Sequence, residues 1–163
     1  MKRTVLYPGT FDPVTNGHLD IIERSCRLFD LVFIGVAQND KKNPLFTLDE
    51  RMELMRKACA HLNNVEIVSF DGLMVDAVRQ YKVTVVIRGI RAVADFEYEF
   101  QMALMNHELN QECETIFMMP SKTYSFVSSK LIKEVSRCCG DISAFVHPAV
   151  GEAIMKKVRE EKL

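Results

Sequence analysis

Arg3-Thr4-Val5-Leu6-Tyr7-Pro8-Gly9-Thr10-Phe11-Asp12-Pro13-Val14-Thr15-Asn16-Gly17-His18-Leu19-Asp20-Ile21-Ile22 is the stretch from which the fold is read. Arg3 to Tyr7 is of strand length, and its Val5-Leu6-Tyr7 are apolar on consecutive positions, as in a strand buried on both faces. A turn with glycines at both ends follows, and then Leu19, Ile22, Cys26 and Phe29 fall on one helical stripe. The same alternation recurs along the chain. Leu31 to Ala37, Val65 to Phe70, Val83 to Ile87 and Thr115 to Met119 read as strands. Leu48, Met52, Met55, Cys59 and Leu62 make a second helical stripe, whose start is marked by Thr47 and Glu50 at capping-box spacing. Further helices are expected at Leu73 to Tyr81, Ala94 to Leu109, Ser129 to Cys139 with Gly140 as the stop, and Pro148 to Glu160. Strands alternating with helices imply parallel pairing through right-handed crossovers, so the expected fold is α/β: a doubly wound, five-stranded parallel sheet with helices on both faces.

The rest of the composition fits one such domain over residues 1–163 and excludes other classes. Lys+Arg 21 against Asp+Glu 22 leaves a net charge of -1, so no global field draws the chain to nucleic acid or anionic lipid, and any anion site must be local. The longest apolar run, Leu31 to Ala37, is far short of the ~20 residues that span a bilayer. The apolar stretch before Pro8-Gly9 is too short for a signal peptide, and a cytoplasmic protein is expected. Cys26, Cys59, Cys113, Cys138 and Cys139 are odd in number and lack C-x-x-C or zinc-finger spacing, so neither a disulfide framework nor a structural zinc site is expected.

In an open parallel sheet the ligand crevice lies beyond the carboxyl ends of the strands. Three loops there carry chemistry. The first, Tyr7 to His18, matches neither the dinucleotide fingerprint nor a P-loop, yet its glycines allow close backbone approach and its helix N-terminus favours an anion toward which His18 can aim a ring N–H. After the fourth strand, Arg88-Gly89-Ile90-Arg91 offers two guanidinium forks to phosphate, and Asp95 and Glu99 follow one turn apart, facing the same way, where they could accept from ribose hydroxyls or magnesium-bound water or equally form a solvated helix face. After the fifth, Met119 to Lys130 brings Ser128 and Ser129 to a helix start with Tyr124 upstream, where an adenine could stack. Serine hydrolase and zinc hydrolase arrangements are absent from the sequence, and Lys42, by itself, reads as a solvent lysine.

Gly9-Thr10-Phe11-Asp12-Pro13-Val14-Thr15-Asn16-Gly17-His18 resembles the first signature of the nucleotidyltransferase superfamily, and Val127-Ser128-Ser129-Lys130 resembles its second. Arg88 to Glu99 and Met119-Pro120-Ser121-Lys122 resemble one family in particular, bacterial phosphopantetheine adenylyltransferase, and the similarity runs from about Val5 to about Gly140. That resemblance implies a Rossmann-like nucleotidyltransferase fold, and transfer of an adenylyl group from ATP to 4′-phosphopantetheine with Mg²⁺, in a homohexamer. The product would be dephospho-coenzyme A, with pyrophosphate leaving. By motif position it implies ATP contacts from Gly9, Thr10, Phe11, His18, Gly89, Ile90, Arg91, Glu99 and the run Tyr124, Ser125, Phe126, Val127, Ser128, Ser129 and Lys130. Phosphopantetheine would meet Thr10, Lys42, Leu73, Met74, Arg88, Met102 and Asn106, with Glu134 a further candidate, and His18, Thr10, Lys42 and Arg91 would carry the chemistry. Two positions depart from the superfamily pattern: Thr15 replaces its first histidine, and Lys130 stands where its second signature has threonine. Another adenylyl- or cytidylyltransferase of the superfamily and a non-catalytic nucleotide sensor are the competing readings.

Overall fold

The computed structural model describes residues 2–38 and 43–160. Strands β1 (Thr4–Gly9), β2 (Leu31–Ala37), β3 (Val65–Phe70), β4 (Val85–Gly89) and β5 (Glu114–Met118) form one sheet in the order β3-β2-β1-β4-β5. Every pairing is parallel. Helices α1 (Asn16–Leu28), α2 (Leu48–Ala58), α3 (Met74–Gln80), α4 (Val93–Leu109), α5 (Ser129–Arg137) and α6 (Pro148–Glu160) accompany it. The chain runs outward from β1 to β3 and then returns to the other side of β1 for β4. The strand order therefore reverses between β1 and β4, and the ligand crevice belongs at their carboxyl ends.

Consecutive apolar residues in the inner strands serve two cores. Val5 and Tyr7 of β1, Val32, Ile34 and Val36 of β2 and Ile87 of β4 pack on one face with Ile22, Met55, Ile132 and Ile154. Leu6 and Val86 point the other way, joining Ala77 and Val78 of α3. Each of the large aliphatic side chains fully buried here, such as Ile22 and Ile34, stabilises the fold by roughly 1.5–3 kcal/mol. Edge strand β5 leaves Glu114 and Ile116 exposed, as a strand with only one neighbour can.

Of the element boundaries that differ from those read in the sequence, most by a single residue, three are shifted further. β4 is displaced toward its carboxyl end, because the Val83 N–H closes the end of α3 on the Val78 carbonyl at 3.1 Å and Lys82 takes a φ of 51°. Arg88 and Gly89 thereby lie in the strand itself. β1 continues through Pro8 to Gly9, and the β1–β4 register is held at Leu6 and Val86. Proline has no N–H to extend a ladder, and the Pro8 carbonyl turns instead to the Arg88 side chain at 2.7 Å. Helix α5 stops at Arg137, and Cys139, not Gly140, takes the left-handed turn (φ 60°). Gly140 is required there for space, since a Cβ would lie 2.5 Å from Val135 Cγ1.

Candidate active site

Beyond the carboxyl ends of β1 and β4 lies a cavity of about 650 Å³. Its floor is the first loop. Thr15 caps α1 by accepting the His18 N–H on its hydroxyl, and in return the Thr15 N–H donates to His18 Nδ1 at 3.0 Å. An N–H can only donate, so Nδ1 is the acceptor and the ring proton sits on Nε2. Capping and function thus fall to the two nitrogens of one ring, and Nε2 keeps its hydrogen for the cavity. Burial, reinforced by the charges of Arg91 and Arg88, pushes the His18 pKa down to about 4, so the ring is neutral near pH 7. Phe11 sits edge-on to this imidazole at 5.2 Å and holds a left-handed φ of 49°. Its ring lies so close to Gly9 that a Cβ there would be 2.8 Å from Phe11 Cζ. Glycine at this place lets the ring cover the backbone.

Two helices aim their N-termini at the same space. In α1 the Gly17 N–H, and in α5 the N–H groups of Ser129 and Lys130, have no acceptor among the described residues. Such groups, with the helix dipole behind them, favour an anion. The serine hydroxyls themselves are committed elsewhere: Ser128 caps the Leu131 N–H at 3.1 Å, and Ser129 donates to the Pro13 carbonyl at 2.7 Å, tying α5 to the first loop.

The arginines form the wall. Arg88 grips Glu99 with Nε (2.7 Å) and Nη2 (2.6 Å) and reaches the Pro8 carbonyl with Nη1. Burial opposes the Arg88 charge, but the hydrogen bonds and charge of Glu99 outweigh it and its pKa is raised. Arg91 holds Asp95 through Nε at 3.0 Å and reaches the Val127 carbonyl at 3.3 Å. Each guanidinium has five N–H donors, so each keeps donors for a ligand. Asp95 and Glu99, read from the sequence as facing ribose, metal-bound water or solvent, are both paired with arginines: Glu99 with Arg88 of β4, and Asp95 with Arg91, four residues before it in the turn after that strand.

Most residues singled out from the sequence converge. The large cavity is lined by Gly9, Thr10, Phe11 and His18, by Arg88, Gly89, Arg91 and Glu99, and by Tyr124, Val127, Ser128, Ser129 and Lys130. A narrower cavity of about 180 Å³ continues from it, sharing Thr10, Arg88 and Glu99 and lined further by Phe70, Met74, Met102 and Asn106. Neither cavity is lined by Ile90, Leu73, Ser125 or Phe126. The Ile90 N–H bonds the Met118 carbonyl, the exposed Leu73 precedes α3, Ser125 bonds the Lys122 carbonyl, and Phe126 packs edge-on against Phe145. Glu134 lies 3.9 Å from Lys130. Lys42 falls outside the described residues.

The sequence carries the family model for cytidylyltransferase-like proteins across residues 6–135. The chain belongs to the cytidylyltransferase-like family. It is thereby a nucleotidyltransferase-type protein with a Rossmann-like fold. A protein described as a nicotinate-nucleotide adenylyltransferase from Vibrio parahaemolyticus shares the fold at a TM-score of 0.71 and 19% identity, over 95% of this chain and 99% of that one. A lipopolysaccharide core biosynthesis protein from Thermoplasma volcanium GSS1 matches at 0.55 and 22%, over 75% and 98%.

Three further residues organise this cytidylyltransferase-like site without having been marked by the sequence. The Asp12 carboxylate, 5% exposed, accepts the N–H groups of Leu45 and Phe46, both at 2.9 Å, and the Lys133 ammonium at 2.7 Å. Arg51, 1% exposed, donates to the carbonyls of Thr10 (2.8 Å), Ala37 (2.8 Å) and Phe46 (3.2 Å). Together they join the first loop, the end of β2, residues 45–46 and α5. Lys133 also lines the large cavity. Its one-turn spacing from Ser129 was a usable signal; Asp12 and Arg51 act on backbone groups far away in sequence and gave none.

Proposed function

We propose that this chain transfers the adenylyl group of ATP to 4′-phosphopantetheine, producing dephospho-coenzyme A and pyrophosphate. The observation that carries the reading is the junction of the two cavities at Thr10 and Arg88. The larger space has the helix N-termini and cations suited to a nucleotide triphosphate. The narrower one, with Met74, Met102 and the polar amide of Asn106 beyond Arg88, suits a phosphate monoester that carries a thin, amide-bearing tail. Family membership supports nucleotidyl transfer, and the motif resemblance supports this acceptor.

An oxygen of the acceptor phosphate forms a bond to the α-phosphorus while the bond from that phosphorus to the β-phosphate oxygen breaks, and pyrophosphate leaves with the electron pair. The acceptor phosphate is mostly dianionic at neutral pH, its second pKa lying near 6, so no general base is needed. The protein's task is alignment and charge stabilisation. In this reading the neutral His18 donates Nε2–H to the α-phosphate as charge builds on it. Thr10 and Lys42 hold the acceptor phosphate, with Arg88 steering it from the wall, while Arg91, Lys133 and the amides of α5 hold the triphosphate. Glu99, instead of touching nucleotide directly, fixes the Arg88 fork in place.

Magnesium enters this proposal as the counter-ion of the triphosphate. No group of three His, Cys, Asp or Glu side chains among the described residues is arranged to hold a metal, and Asp12, Asp95 and Glu99 are each paired with a cation. Bound there, magnesium would offset triphosphate charge. No helix among the described residues is long and apolar enough to cross a membrane; a cytoplasmic homohexamer remains our proposal for the assembly. In its support, α4 carries the exposed side chains Phe96, Phe100, Leu104 and Met105.

Incubation with ATP, Mg²⁺ and 4′-phosphopantetheine, followed by mass detection of dephospho-coenzyme A, tests the reaction. Its formation, and ATP synthesis from dephospho-coenzyme A and pyrophosphate in reverse, are expected. Absence of both would refute the assignment.

A further inference from the structure

Tyr7 has no part in the reaction outlined above. Its side chain is 4% exposed, in the middle of β1, and it lines the large cavity. The ring packs edge-on against Phe11 at 5.4 Å. Its hydroxyl makes no hydrogen bond to any described residue and is reached from the cavity; Thr115 Oγ1 is the fully buried side-chain polar atom without a partner among the described residues. A tyrosine whose ring is buried usually finds a partner for its O–H. Tyr81 does so in this protein, donating to the Ser69 carbonyl at 2.6 Å.

The position of the Tyr7 oxygen narrows what it can meet. It lies where a Cβ on Gly89 would come within 3.5 Å of it, beside the last residue of β4. Arg88 precedes that glycine and Arg91 follows two residues after it, both line the same cavity, and the charges of both act on the phenol. Burial outweighs them and raises the phenol pKa, so Tyr7 remains a neutral donor. Donors thus converge from three side chains on a space whose occupant must supply acceptors. Tyr7 lines only the larger cavity, not the narrow one beyond Arg88. Phe11 packs edge-on against both Tyr7 and His18, with ring centres 5.4 Å and 5.2 Å from theirs, so Tyr7 and the imidazole assigned to the α-phosphate share one aromatic neighbour and line the same cavity.

We propose that the Tyr7 hydroxyl is a further nucleotide-binding group, donating a hydrogen bond to an oxygen of the ribose–α-phosphate portion of ATP. The inference rests on the adenylyl-transfer reading and adds a contact to it.

The test is Tyr7→Phe, which removes one oxygen and leaves the ring packing intact. The Kd for ATP with Mg²⁺, measured by calorimetry without acceptor, is expected to rise about tenfold, the effect of one lost hydrogen bond to a charged or strongly polar group. KM for 4′-phosphopantetheine and the melting temperature should stay unchanged, since no bond within the protein is lost. Tyr81→Phe, which does lose such a bond, should melt earlier while binding ATP normally. An unchanged Kd in Tyr7→Phe beside normal wild-type binding would overturn this contact alone. So would a loss confined to the acceptor. Failure of the wild-type protein to bind ATP would overturn both the contact and the reaction.

Discussion

Replacing Asp12 by Asn tests the clamp that holds the site's loops together. The substitution keeps the shape and removes the charge. In the native protein the two carboxylate oxygens take three donors: Leu45 N–H and Lys133 Nζ on Oδ2, and Phe46 N–H on Oδ1. An asparagine has one oxygen and one NH₂ in those places. Whichever way it turns, the NH₂ faces a donor, and Lys133 loses its counter-charge. Breaking a buried pair by removing one partner costs about 3–5 kcal/mol. The Lys133 side chain retains 23% of its surface in solvent, which places the expected cost near the lower end, about 3 kcal/mol. For a protein of this size each kcal/mol lowers the melting temperature by roughly 2–4 °C, so a fall of roughly 6–12 °C is expected. Thermal unfolding followed by circular dichroism, with a urea titration to check that the m-value is unchanged, reads this directly. A fall of less than about 2 °C would show that the Asp12 contacts contribute little, and that something other than this clamp fixes the loops.

Three further outcomes follow from the site geometry. His18→Ala should lose about 10²–10³ in kcat, the usual effect of deleting one transition-state donor, while ATP affinity measured by titration is largely retained; an unchanged kcat at saturation would contradict the assigned role. Because the folded-state pKa of His18 is about 4, below the unfolded value near 6.5, the native protein binds fewer protons in that window. His18 should therefore contribute roughly 3 kcal/mol of stability at neutral pH that disappears as pH falls from about 6.5 to 4, and melting curves at several pH values should show this loss in wild type and a shallower one in His18→Gln. Glu99→Gln should raise KM for the acceptor by about tenfold through a loosened Arg88 while ATP affinity changes little, a split that steady-state kinetics resolves; a loss confined to ATP would make Glu99 a direct nucleotide contact.

The sheet was legible because its inner strands are buried on both faces, which leaves consecutive apolar residues such as Val32 to Ile34 that cannot be mistaken for a half-exposed strand. Helix starts at Thr47 and Ser128 were legible because their caps are local, each made within three residues. The end of β4 was misplaced by the same logic in reverse: Val83 is apolar and buried, but it finishes α3 and packs in the smaller core. Convergence of three loops followed from parallel topology once the strands were in order, which is why Gly9, His18, Arg91 and Ser129 could be grouped. Tyr7, Asp12 and Arg51 could not. Their importance lies in partners from distant segments, or in a missing partner, and neither leaves a periodic trace. The ion pairs of Asp95 and Glu99 were concealed similarly, since a helix face of carboxylates reads alike whether it meets water or arginine.

The central claim, adenylyl transfer to 4′-phosphopantetheine, is tested most directly by pyrophosphate release from ATP and Mg²⁺ with parallel acceptors. Turnover with 4′-phosphopantetheine, and none with unphosphorylated pantetheine or nicotinamide mononucleotide, is the predicted result. Release that depends on nicotinamide mononucleotide, or no release with any acceptor while ATP still binds, would contradict it.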